Sequence, residues 1–265
     1  MDIGLKGKVV GVAGASRGIG GEAASAFARE GANLIICARS ADGLNRKKEE
    51  LESLGAMVYA DICDVTDSNA VREFITKAAE FFGSIDIWMN SAGTDMSADI
   101  LDLRLEDWDA VFAVNLKPAL YIAQSLFPYM KTKGGSIINI SSWMSIIPRA
   151  GFAAYAASKA ALTSLTRTTA AEFAPYKIRV NALIPGFITT ELTQNSKDIA
   201  ANAGVWQCTA FQRPGVPAEL IGPIMFLASD MSSFVTGTTL DVSGGKLIVQ
   251  NPEYPWRHLL RIEDT

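Results

Sequence analysis

The chain alternates between two hydrophobic periods. Short runs such as VVGVA at 9–13, LIIC at 34–37 and SIINI at 136–140 are largely apolar on consecutive residues, as parallel strands buried on both faces require. They predict strands at Lys8–Ala13, Asn33–Ala38, Met57–Asp61, Ile85–Asn90, Ser136–Ser141, Lys177–Leu183 and Thr239–Val242. Between them, apolar residues recur at helical spacing near 18–30, 42–54, 68–82, 105–130, 153–174 and 217–228. Strand and helix in strict alternation imply a doubly wound α/β fold: a seven-stranded, mostly parallel sheet with helices on both faces.

No Pro/Gly/Ser-rich linker, charge block or repeat divides the sequence, so residues 1–265 read as one domain. Two segments leave the rhythm. Residues 186–216 lack clean periodicity and contain Trp206 and Phe211, as a partly helical substrate lid would. The tail at 246–265 carries Tyr254, Trp256, Leu259 and Leu260, apolar surface that calls for docking on its own subunit or a neighbour.

Composition narrows the function. Apolar residues are 49% and charged residues 20% of the chain, enough for a sizeable core. A net charge of −4 argues against a nucleic-acid partner. Absence of a run of about 18 apolar residues argues against a spanning helix. The N-terminus shows no signal-peptide pattern. The three cysteines, Cys37, Cys63 and Cys208, have no CxxC spacing and read as reduced thiols of a cytoplasmic protein.

The candidate chemistry begins at Gly14-Ala-Ser-Arg-Gly18-Ile-Gly20, between the first strand and the first helix. Glycines there permit a tight turn and close approach of a pyrophosphate to the helix N-terminus. Gly14, Ser16, Arg17, Gly18, Ile19 and Gly20 are therefore candidate dinucleotide contacts. At the end of the second strand, where an acid would accept from a ribose 2′-hydroxyl, the chain has Ala38 followed by Arg39. Arg17 and Arg39 without a carboxylate suit a 2′-phosphate, so NADP(H) is expected. Further along, Tyr155 and Lys159 stand four apart at the start of a helical stretch, on one face. An ammonium beside the phenol is expected to lower its pKa toward the range useful in acid–base catalysis.

With its Gly-x-x-x-Gly-x-Gly turn and Tyr-x-x-x-Lys pair, the sequence resembles the short-chain dehydrogenase/reductase family over about residues 6–245, a Rossmann-type fold. The resemblance implies further roles. Ser142, thirteen residues before Tyr155, would hold the substrate oxygen, and Asn115 within the long helix would support a water that links Lys159 to solvent. Asn90, Ala92 and Gly93 match the Asn-Asn-Ala-Gly segment, and Asp64 with Val65 matches the adenine contacts. Pro185, Gly186, Ile188 and Thr190 match the segment beside the nicotinamide. Tyr155 and Lys159 would contact the cofactor as well as act in catalysis. Ala13 and Ser91 depart from the family's Thr and second Asn, which bears on stability more than on activity.

Ser142 and Tyr155 would contact substrate, and Trp143 and Phe187, with Met144 and Phe152, are candidates to line an apolar substrate pocket, or equally to pack. His258, the single histidine, lies in the tail and supports no triad or metal site, and Asp61 with Asp64 fits an adenine contact better than a metal. The expected activity is hydride exchange between NADP(H) and a ketone or secondary alcohol, of 3-oxoacyl type or another apolar ketone. An alcohol or polyol dehydrogenase working oxidatively is the alternative. A non-catalytic nucleotide sensor would be expected to lack part of the Ser142, Tyr155 and Lys159 set. An enoyl reductase would space its Tyr and Lys further apart. The family's pairing of its two long helices across a two-fold axis implies a homodimer or homotetramer.

Overall fold

The computed structural model describes residues 3–194, 204–205 and 207–249. Trp206 and residues 195–203 of the expected lid, and the tail from residue 250 with His258, lie outside the described residues. Seven parallel strands form one sheet in the order β3-β2-β1-β4-β5-β6-β7. They are β1 (Val9–Ala13), β2 (Asn33–Ala38), β3 (Val58–Ile62), β4 (Ile87–Asn90), β5 (Gly135–Ile140), β6 (Ile178–Pro185) and β7 (Thr239–Val242).

Both faces are covered. On one, α1 (Gly18–Arg29), α2 (Ala41–Ser53) and α8 (Ile221–Ala228) pack Phe27, Leu44, Leu51 and Ile224 against Val10, Val12 and Leu34. On the other, α3 (Ser68–Phe82), α5 (Lys117–Met130) and α6 (Ala153–Phe173) pack Phe74, Ile75, Leu126 and Ala170 against Ile35, Trp88 and Ile137. The larger of these side chains, taken fully out of water, each stabilise by about 1.5–3 kcal/mol. Gly11 in the middle of β1 is required by this layer, because a side chain there would run into the Trp88 indole.

The expected single helix at 105–130 is two, α4 (Leu105–Asn115) and α5, with Leu116 between them at φ −119° and ψ −56°. Pro118 has no N–H for the preceding turn and sits in the first turn of α5, where none is needed. Residues Leu105–Met130 together are long and apolar enough by composition to cross a membrane. In the fold they are this broken pair, packed on α3 and α6.

The chain order reverses beside β1, which pairs with β2 on one side and β4 on the other. Ala13 is in register with both Cys37 and Asn90, so the ends of three strands open on one crevice. Ligands of such sheets bind there, outside the strand C-termini.

Candidate active site

A cavity of about 280 Å³ occupies that crevice, with Arg39 and Asp64 at one end and Ser142, Tyr155 and Lys159 at the other. The glycine turn forms its floor. Gly14 has φ +83°, and a side chain on it would come within 2.7 Å of the Ala92 backbone nitrogen. The turn is hung on β2, with Gly14 N–H donating to the Cys37 carbonyl at 3.1 Å. A Gly20 side chain would collide with the Gly14 carbonyl, so Gly20 serves close packing and does not line the cavity. Gly18, at φ +59°, faces open space up to Thr190, 3.9 Å away. Helix α1 starts at Gly18 with no side-chain cap and no acid in its first turn. Free N–H groups and a glycine-walled floor fit the pyrophosphate of a dinucleotide. Ser16, Arg17, Ile19, Val65, Ala92, Gly93, Pro185, Gly186, Ile188 and Thr190 line the same cavity. Ser91, a departure from the family pattern, still donates its backbone N–H to the Ala13 carbonyl at 3.0 Å.

At the outer end Ala38 and the exposed Arg39 lie where the sequence puts them. Asp64 accepts from the Thr66 N–H at 2.9 Å and hydroxyl at 2.8 Å. These bonds, with the more distant Arg39 charge, hold its carboxyl below the usual range. Arg17 carries a partner that no sequence motif announces. Its Nη1 lies 2.8 Å from Oε2 of Glu191, in the short helix α7 (Glu191–Gln194) that follows Thr190.

At the inner end, Tyr155 and Lys159 sit one turn apart on α6, and the Lys159 Nζ is 5.8 Å from the Tyr155 ring centroid. Ser142 and Tyr155 line this end of the cavity together, and the Ser142 hydroxyl favours the ionised form of the tyrosine. Ser142 Oγ also accepts from the Met144 N–H at 3.2 Å, at the head of a single 3-10 turn, Trp143–Ser145. Its neighbour Ser141 is turned away, donating to the Lys159 carbonyl at 3.1 Å, 3.0 Å from the Thr163 hydroxyl. Lys159 is buried and donates to the Ile140 carbonyl at 2.8 Å. Burial pulls its pKa down to about 8.

The tyrosine departs from expectation. Its pKa is raised, chiefly by burial and further by the nearby Asp95 carboxylate, while the Ser142 hydroxyl pulls the other way. The expected lowering by Lys159 is not met: its ammonium is 5.8 Å from the ring centroid and donates to the Ile140 carbonyl. Asp95 is half-buried, and burial holds its carboxyl above the usual range.

Three other expectations change. Asn115 stands at the C-terminal end of α4, not inside a long helix, and reaches across to the loop after β4. Its Oδ1 accepts from Thr94 N–H at 2.9 Å, and its Nδ2 donates to the Thr94 carbonyl at 2.9 Å and the Ser158 hydroxyl at 3.1 Å. Ser158 in turn donates to the Tyr155 carbonyl at 2.7 Å. Asn90 turns into the sheet: it accepts from Trp88 Nε1 at 2.9 Å and donates to Asn139 at 2.7 Å, which donates to Thr166 on α6 at 2.9 Å. Trp143 is buried, and Phe187 and Met144 pack with it around Ile184 and Val205. Neither Trp143 nor Phe187 lines the cavity. Among the described residues no cluster suited to a metal ion occurs.

Residues 13–246 match the family model described as enoyl-(acyl carrier protein) reductase. A 3-oxoacyl-acyl-carrier-protein reductase of Thermotoga maritima is 40% identical over 92% of this chain and 99% of its own length. Gluconate 5-dehydrogenase of Gluconobacter oxydans is 35% identical over 88% and 92%. Among solved structures, a short-chain type dehydrogenase/reductase from Mycobacterium marinum superposes with a TM-score of 0.87 at 33% identity, covering 93% of this chain and 98% of that one. The chain belongs to the short-chain dehydrogenase/reductase family. It is an oxidoreductase acting between CH–OH and C=O groups.

Proposed function

We propose that this enzyme uses NADP(H) to interconvert a ketone and a secondary alcohol, with a 3-oxoacyl-type or comparably apolar ketone as substrate. The observation that carries the proposal is that Ser142, Tyr155 and Lys159, which stands one helical turn beyond the tyrosine, line the same cavity as the glycine turn. A bound nicotinamide nucleotide supplies the hydride in reduction and takes it up in oxidation. Tyr155 gives the proton of its hydroxyl to the substrate oxygen in reduction and receives it in oxidation. Ser142 donates to that same oxygen, where negative charge develops. Lys159 bonds the nicotinamide ribose. Asn115 acts by fixing Thr94 and, through Ser158, the backbone of Tyr155. Asp64 and Val65 serve the adenine.

Arg17, Arg39 and the apolar Ala38 support NADP(H) over NAD(H). The four-residue spacing of Tyr155 and Lys159 supports carbonyl reduction over the enoyl chemistry in the matched family's description. Free thiols at Cys37 and Cys63 fit a cytoplasmic setting. Leu101, Leu105 and Leu120, exposed at and before α4 and on α5, favour a homodimer or tetramer; a monomer mass in light scattering would refute it. A second reading, oxidation of a polyol, is supported by the likeness to gluconate 5-dehydrogenase.

Titration of NADPH and NADH by nicotinamide fluorescence tests the cofactor. NADPH is expected to bind at least about tenfold more tightly, the scale of about 1.4 kcal/mol for a phosphate–arginine contact. Arg39→Asp shifts the preference toward NADH, whereas equal wild-type affinities would refute it. A panel of 3-oxoacyl thioesters, ketones and polyols, read by nicotinamide absorbance, separates the two substrate readings.

A further inference from the structure

The ion pair between Arg17 and Glu191 joins two segments 174 residues apart in sequence across the mouth of the cofactor cavity, which both residues line. Arg17 is the residue before α1, in the glycine turn. Glu191 follows Thr190, whose methyl group lies above Gly18. The segment that carries Glu191 is anchored on both sides. Ile188 bridges to Gly215, and the Thr189 N–H donates to the Gly215 carbonyl at 2.9 Å. Thr193 Oγ1 accepts from the Thr190 N–H at 2.8 Å and donates to the Ile188 carbonyl at 2.9 Å. Glu191 is thus presented to the glycine turn by a fixed loop.

We infer that Glu191 is a cofactor-selectivity residue, competing with the 2′-phosphate of NADP(H) for Arg17. The inference rests on the reading above that Arg17 meets that phosphate. A carboxylate 2.8 Å from Nη1 occupies one of the guanidinium's donor directions and sets a negative charge beside the incoming phosphate. For the phosphate to take Arg17 in full, the pair must open. A dinucleotide without the 2′-phosphate makes no such demand and leaves the clasp closed. Glu191 therefore narrows the preference for NADP(H) that Arg17 and Arg39 create. Both side chains are well exposed, at 64% and 60%, so the pair is weak enough for a ligand to exchange.

The test is direct binding, without turnover. NADPH, NADH, adenosine 2′,5′-bisphosphate and 5′-AMP are titrated against wild type, Glu191→Gln, Arg17→Met and the double variant. Glu191→Gln keeps the shape of the side chain and removes its charge. It is expected to tighten NADPH and the bisphosphate by about two- to fivefold, the range of an exposed ion pair, and to leave NADH and 5′-AMP unchanged. In the Arg17→Met background the same substitution is expected to have no effect. Weaker NADPH binding by Glu191→Gln, equal shifts for all four ligands, or an undiminished effect without Arg17 would overturn the inference. If wild type binds NADH as well as NADPH while Glu191→Gln still tightens NADPH alone, the proposed cofactor preference fails and the clasp stands.

Discussion

The two ends of the cavity are built on opposite principles. At the inner end Asn115, Ser142 and Lys159 are 4%, 6% and 4% exposed, and each is held by bonds to backbone or to another buried side chain. At the outer end Arg17, Arg39, Asp64 and Glu191 are exposed, and their bonds are either ionic across the mouth or local to one turn. Buried, bonded groups keep their geometry when a ligand arrives, as proton transfer and charge stabilisation demand. Exposed charges exchange partners at little cost, which suits the choice between cofactors that differ by one phosphate. Substitutions at the inner end should therefore change rate, and those at the outer end should change which dinucleotide binds.

The largest effect is expected for Tyr155→Phe, a fall in turnover of about 10²–10⁴-fold, the usual contribution of a general acid or base. Next comes Lys159→Met. The free lysine value of 10.5 falls to about 8 in the folded protein. Below pH 8 the lysine is charged in both states, and the folded state bears the full cost of burying the charge. Between pH 8 and 10.5 the unfolded chain binds more protons, so wild-type stability gains up to about 3 kcal/mol as the pH rises. Denaturant melts at pH 7 and pH 10 should show that gain in wild type and not in Lys159→Met, which should also turn over slowly. An equal pH dependence in both proteins would remove the buried charge from the inner end. The smallest effect is the two- to fivefold shift at Glu191, confined to phosphate-bearing ligands.

What could be read from the sequence follows the same division. The glycine turn, the Tyr155–Lys159 pair and the strands depend on spacing within one element or between neighbours, and they lie where the pattern puts them. The choice of Ser142 over Ser141 fits the bonds of the Ser141 hydroxyl, which is taken up by the Lys159 carbonyl and Thr163. The break at Leu116 was not legible, because Asn115 turns to Thr94, a residue of another loop; only Pro118 hinted at it. The chain from Trp88 through Asn90 and Asn139 to Thr166 crosses two strands and a helix and has no local signature. The raised tyrosine pKa depends on burial and on Asp95, which helical spacing does not encode. The Arg17–Glu191 pair spans most of the chain, and nothing in either segment names the other.

The central claim is that proton transfer and cofactor choice are separable, one set by the hydroxyl of Tyr155 at the inner end and the other by the exposed arginines. The most direct measurement takes Tyr155→Phe and determines NADPH affinity and turnover on one preparation, with any substrate the panel identifies. Turnover should fall at least about 100-fold while the NADPH dissociation constant stays close to that of wild type. Turnover equal to wild type would contradict the assignment of Tyr155 as proton donor, and with it the roles given to Ser142 and Lys159.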